Sequence, residues 1–258
     1  MTEFLEAGGQ RLEYAWHGPP PGEAPTLVFL HEGLGCVSLW RDFPARLAEA
    51  TGCGALVYSR AGYGRSDPVD LPRPVSFMHH EGLRVLPEVL DAAGVRDAVL
   101  VGHSDGASIA LVHAGSGAAG RVRALVLEAP HVFVEDVSVA SIARAGEAYR
   151  GTDLRAKLAR HHGGNVDCAF RGWNEVWLHP EFRAWNLEAY LPAISVPVLV
   201  VQGEADEYGT LAQVEAVRTG VRGPVETLVL PGVGHSPHRD RPDETLAAMA
   251  AFVRRALA

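Results

Sequence analysis

Gly102-His103-Ser104-Asp105-Gly106 is where residue type and spacing most directly imply chemistry. The segment follows the apolar run Ala98-Val99-Leu100-Val101 and precedes Ala107-Ser108-Ile109-Ala110-Leu111-Val112, which reads as a helix. A serine between two glycines at a strand-to-helix turn holds its hydroxyl out at a sheet edge, and the glycines let strand and helix approach closely. That hydroxyl is a weak nucleophile at neutral pH and needs a base to take its proton. Among twelve histidines, His235 is the expected base, because it lies in the glycine-rich loop Leu230-Pro231-Gly232-Val233-Gly234-His235-Ser236 after the last apolar run. His238 is expected at the surface where a closing helix begins. His103 is expected to point away from Ser104 and to pack or hydrogen-bond beneath the turn. An imidazole base needs a carboxylate to hold its tautomer and stabilise the imidazolium that forms. Asp206, in Gln202-Gly203-Glu204-Ala205-Asp206-Glu207-Tyr208-Gly209-Thr210, is the expected partner, one turn beyond the run Val198–Val201; Glu204 and Glu207 are its close rivals.

These residues lie far apart in the chain, so a scaffold must bring them together. Leu27–His31, Ala55–Ser59, Ala98–Gly102, Ala124–Leu127 and Val198–Val201 lack polar alternation, as strands buried on both faces do. Val225–Leu230 supplies a final strand and Thr245–Leu257 a closing helix, while Gln10–Trp16 alternates and is expected at an antiparallel edge. Strands alternating with helical stretches predict an α/β architecture with a mostly parallel sheet. Residues 131–195 break this rhythm. They read as a helical cap inserted into a core made of residues 1–130 and 196–258, and they hold 8 of the 19 aromatic side chains. Such a cap can roof an apolar pocket over the strand ends. Trp40, His131, Trp173 and Trp177 are the candidate substrate contacts. The pair His161-His162 reads as a solvated helix end.

The elbow, the acid loop and the Gly-x-Gly-His loop together resemble the α/β-hydrolase family over essentially the whole chain, in the order Ser104, Asp206, His235. The resemblance implies the α/β-hydrolase fold, an eight-stranded, mostly parallel sheet flanked by helices. It also implies an oxyanion hole formed by the backbone N–H groups of Asp105 and of Gly33, the latter within His31-Glu32-Gly33-Leu34-Gly35. Tyr58-Ser59-Arg60-Ala61-Gly62-Tyr63-Gly64-Arg65-Ser66 resembles the family's glycine-rich structural loop. Two positions depart from the common pattern. Glu32 stands where the family usually has glycine, and a carboxylate facing an oxyanion would oppose the developing charge. It is therefore expected to turn away and pair with Arg60. Asp105 stands where a hydrophobic residue is frequent, and a helix N-terminus favours its charge.

The implied reaction is cleavage of a small carboxylic ester or thioester through an acyl-enzyme, with an apolar or aromatic acyl group suiting the cap and no cofactor or metal needed. C–C bond hydrolysis, lactone hydrolysis and perhydrolysis use the same triad, and a weakly hydrolytic ligand sensor could retain it. Acidic side chains outnumber basic ones, 31 to 23, which argues against nucleic acid as a partner. No apolar stretch approaches a membrane span, and no leader pattern opens the sequence. Cys36, Cys53 and Cys168 are odd in number and lack metal-ligand spacing, so reduced thiols in the cytoplasm are expected.

Overall fold

The unbroken apolar runs become the centre of a single sheet. A computed structural model describes residues 2–117 and 120–258. Eight strands, β1 (Glu3–Ala7), β2 (Gln10–His17), β3 (Thr26–Leu30), β4 (Gly54–Tyr58), β5 (Ala98–His103), β6 (Val122–Glu128), β7 (Val198–Gly203) and β8 (Val225–Leu230), lie in the order β1-β2-β4-β3-β5-β6-β7-β8. β2 pairs antiparallel with both β1 and β4, and every other pairing is parallel. The edge position expected for β2 belongs instead to β1. That five-residue strand returns through a Gly8-Gly9 turn in which both glycines have positive φ. It is short and partly exposed, so its apolar signal is weak.

Alternate residues of the central strands feed two cores. Val28, Leu30, Leu100, Leu125, Leu127, Val198 and Val200 join the core that also contains Phe170, Trp173, Trp177, Phe182 and Trp185. Leu27, Phe29, Val99, Val101, Ala124, Val126, Leu199 and Val201 join the other, against Phe43–Thr51 and the closing helix Pro242–Leu257. Burial of both faces is why these strands carry no polar alternation. β8, an edge strand, is largely exposed or half-buried, and only Leu230 is buried.

Residues 131–195 carry helices Asp136–Gly151, Leu154–His162 and Val166–Trp177 and three 3-10 turns; Phe133 opposite Asn186 is an isolated bridge, and no named strand occurs there. No described helix is long and apolar enough to cross a membrane.

The tightest junction joins β3, β5 and the helix Asp105–Gly115. A methyl group at Gly106 would overlap the backbone carbonyl of Leu30 on the neighbouring strand. Backbone cannot yield as a flexible side chain can. Gly106→Ala should therefore cost about 3 kcal/mol or more and lower the melting temperature by roughly 10 °C, measurable by thermal denaturation. An unchanged melting temperature would show that the junction is looser than drawn.

Candidate active site

Parallel strands all end at one edge, and their following loops converge there. Glu32 and Gly33 follow β3, Ser104 follows β5, His131 follows β6, Asp206 follows β7 and His235 follows β8. Ser104 has φ 53° and ψ −117°, a conformation that costs a non-glycine residue roughly 1–3 kcal/mol. The strain is held by the helix behind it, whose Ala107 and Ser108 N–H groups donate to the Ser104 carbonyl at 2.9 and 3.1 Å.

The His235 Nδ1 lies 2.9 and 2.8 Å from the two oxygens of Asp206. A carboxylate accepts, so Nδ1 carries the proton and Nε2 of a neutral imidazole is left unprotonated. Asp206 also accepts from the Tyr208 N–H at 2.7 Å and from Gln202 Nε2 at 2.7 Å. Burial opposes its charge, but the His235 hydrogen bond and charge hold its pKa below the usual carboxylate value. The rivals are otherwise engaged: Glu204 accepts from the Gly232 N–H and Glu207 from the His235 N–H.

Ser104, His235, Gly33, His131, Trp173 and Trp177 line one cavity of about 220 Å³. Its wall is completed by groups not anticipated from sequence, among them Ile142 and Leu158 within residues 131–195, Tyr208 and Arg239. Tyr208 lies two residues past Asp206, and its ring sits 4.8 Å from that of His235. Among the described residues, the Gly33 and Asp105 N–H groups donate to no protein acceptor. Gly33 cannot be larger, because an added methyl would overlap the Trp173 indole. His131 is buried 5.7 Å from the His235 ring, and burial followed by the His235 charge pushes its pKa down to about 3. It is a neutral wall group.

Four expectations need correction. Trp40 does not line the cavity; it is buried on the other side of the strand ends, against Phe29, His103 and His238. Glu32 does not pair with Arg60 through its carboxylate. Arg60 donates to the backbone carbonyls of His31 and Glu32, while the Glu32 carboxylate meets Arg239 at 3.2 Å and His103 at 3.7 Å. His238 is buried, with Nδ1 donating to Glu128 at 2.8 Å. His162 is buried too. Its Nε2 donates to the Leu34 carbonyl and its Nδ1 accepts from the Gly64 N–H, both at 3.0 Å, so it fastens the helix Leu154–His162 to the loops after β3 and β4. Sequence distance hid every one of these partners.

Asp105 has a further role besides its place in the first turn of its helix. Its fully buried carboxyl accepts from the Trp177 indole N–H at 3.1 Å, tying the turn at Ser104 to the helix Val166–Trp177. Burial, opposed by Arg60 and Trp177, raises its pKa.

Beneath the site lies a second ionisable cluster. His103 Nε2 donates to the His235 carbonyl at 2.7 Å, as its expected place under the turn allows. Burial opposes a charge on His103, but Glu128 and Glu32 outweigh it and raise its pKa to about 9. Burial likewise opposes Glu128, yet His238 and His103 hold it at about 2. The ligand atoms of His103, Glu128 and His238 lie within 4.8 Å of one another, near enough to consider a metal ion. Their donor state argues for a hydrogen-bonded network instead. One nitrogen of each histidine is already committed, and the two carboxylates are matched by a protonated His103 and Arg239.

The linkage has a definite sign. Stability from His103 is full below its unfolded value near 6.5 and is lost as pH rises through about 9. Stability from keeping His131 neutral is full above about 6.5 and is lost as pH falls toward 3. Denaturant melts should thus find stability greatest near pH 6.5, with an alkaline decline that Glu128→Gln flattens. A wild-type curve flat from pH 6.5 to 9 would mean that His103 is uncharged.

Comparison with known proteins agrees with this layout. The sequence profile described as "Alpha/beta hydrolase family" matches residues 27–248. The Azorhizobium caulinodans protein named "Putative carbamate hydrolase RutD" is 35% identical over 125 residues, covering 48% of this chain and 43% of that protein, so the match spans less than half of either. The crystal structure of VinJ aligns with TM-score 0.78 at 24% identity, covering 99% of both chains. The enol-lactonase from Burkholderia xenovorans aligns with TM-score 0.77 at 20% identity, covering 97% of this chain and 99% of that one. At these identities the structural likeness speaks for the fold alone.

Proposed function

We propose, from the premise that the chain belongs to the alpha/beta hydrolase family, that it is a serine hydrolase of small carboxylic esters or thioesters. The observation that carries this reading is the His235–Asp206 pair, which leaves Nε2 of His235 free in a cavity that also holds Ser104. In this reading the Ser104 oxygen attacks the carbonyl carbon while His235 takes its proton. The Gly33 and Asp105 N–H groups receive the oxyanion. Collapse of the tetrahedral adduct expels the alcohol or thiol, to which His235 returns the proton. Water, deprotonated by the same imidazole, then releases the acid and restores Ser104. Asp206 keeps the imidazole in the right tautomer and balances its transient charge. These steps require neither a metal nor an organic cofactor.

His131, Trp173 and Trp177 would hold the acyl group, and the apolar remainder of the wall favours an aliphatic or aromatic one. The three free cysteines support a reducing, cytoplasmic setting. Steady-state hydrolysis of p-nitrophenyl esters and acyl thioesters of graded size tests the reading. Multiple turnover with a preference for apolar acyl groups of modest size is expected. Tight binding with negligible turnover would instead indicate a sensor, and turnover confined to lactones or C–C bonds would move the substrate class.

A further inference from the structure

We propose that the cavity mouth is a binding subsite for phosphate, so that the substrate of this hydrolase carries a phosphorylated leaving group; the reaction, though not the binding, rests on the reading above. The 3-10 turn Val37–Trp40 borders the mouth, where Leu39 lines the cavity. Three arginines gather around that turn. Arg41 follows it directly, with φ 55° and ψ −128°, a backbone conformation few non-glycine residues adopt. Arg239 donates to the Leu39 carbonyl at 3.3 Å. The cap helix Leu154–His162 rests on the turn through His161 Nδ1, 2.9 Å from Ser38 Oγ, and so brings Arg160 to the same place. Besides burial, the charges of Arg160, Arg239 and Arg41 lower the proton affinity of His161, so all three act on that ring.

The charges there do not cancel. Arg239 is met by Glu32. Arg41 and Arg160 are exposed, and among the described residues neither guanidinium forms an ion pair or a hydrogen bond. Asp42, the next residue after Arg41, forms no ion pair with it among the described residues, and Glu207 and Asp240 accept from the His235 and Gly234 N–H groups in the loop after β8. In a chain of formal net charge −8, these two unmatched guanidinium groups lie beside the turn that borders the cavity entrance. Planar guanidinium forks fit phosphate oxygens, and two positive charges suit the one or two negative charges of a phosphodiester or a pyrophosphate. The cavity, about 220 Å³, takes the acyl end and leaves a charged end at the solvated rim. Phosphopantetheine thioesters, free as in coenzyme A or held on a carrier protein, combine these features.

The test compares two thioesters of one short apolar acid, one with coenzyme A and one with N-acetylcysteamine, which is alike at the scissile bond but has no phosphate. We expect kcat/KM to favour the coenzyme A thioester at least tenfold. That preference should fall at least fivefold in Arg41→Gln/Arg160→Gln, fall likewise in high salt, and persist in Arg123→Gln, the same charge change on a strand residue paired with Asp97. Equal rates on both thioesters in wild type, or a preference untouched by the double substitution, overturns the proposal while Ser104-dependent turnover leaves the hydrolase reading intact. A carrier-protein thioester outpacing the coenzyme A thioester assigns the phosphate to a carrier-bound arm. If no ester or thioester is turned over, calorimetry of coenzyme A binding to Ser104→Ala decides: binding at least fivefold weaker after the double substitution supports the subsite, and no binding overturns it.

Discussion

Ser104→Ala should abolish ester turnover, lowering kcat by about ten-thousand-fold or more, because no other hydroxyl stands at the strained turn to form the acyl-enzyme. The fold should survive, since Ala removes one oxygen and leaves the backbone bonds of Ala107 and Ser108 to residue 104 unchanged. Unchanged circular dichroism and melting temperature beside lost turnover would therefore locate the defect in chemistry. KM for any residual activity should change far less than kcat, since the acyl pocket is otherwise complete. Retention of even a tenth of wild-type kcat would place the nucleophile elsewhere.

Asp206→Asn should cost nearly as much, about ten-thousand-fold in kcat at neutral pH. Both Asp206 oxygens now face the His235 Nδ1–H, and the Tyr208 N–H and Gln202 amide fix the carboxylate from behind. An amide in the same place would direct an N–H at the imidazole unless it flipped, and would stabilise the tautomer that carries its proton on Nε2. The base would then be blocked, and the imidazolium formed in each turnover would lose its counter-charge. A pH profile separates the two effects. A tautomer defect leaves a low rate at neutral pH that recovers in strong base, where another proton acceptor can assist. A loss below tenfold would mean that Asp206 does not orient His235.

The residues proposed for the chemistry were legible because each is fixed by a local pattern. Ser104 sits in a glycine-flanked elbow, and Asp206 and His235 sit in short loops after apolar strands, so their neighbours announce them. The five central strands were legible for a related reason, since burial on both faces leaves no room for polar alternation. The unread parts depend on contacts across the chain. Glu32 looked for a cation on an adjacent strand, but the Arg60 guanidinium is committed to two carbonyls and Arg239, 207 residues away, takes the carboxylate. His238 read as a surface residue because its partner Glu128 is 110 residues distant. Trp40 was assigned to the pocket on aromatic character alone, and only the register of β3 against β5 puts it against Phe29 and His103 instead. Helical periodicity says which face of a helix is apolar, not which loop will cover it, so Ile142 and Leu158 gave no advance sign of lining the cavity.

The central claim is that Ser104 forms a covalent bond to the substrate's acyl carbon, and a fluorophosphonate probe tests it most directly. Intact-protein and peptide mass spectrometry of the labelled chain should show one adduct, on the peptide carrying Gly102–Gly106, absent in Ser104→Ala and sharply slowed in Asp206→Asn. An adduct on another residue, or steady ester turnover by a protein that the probe neither labels nor inhibits, would contradict the account.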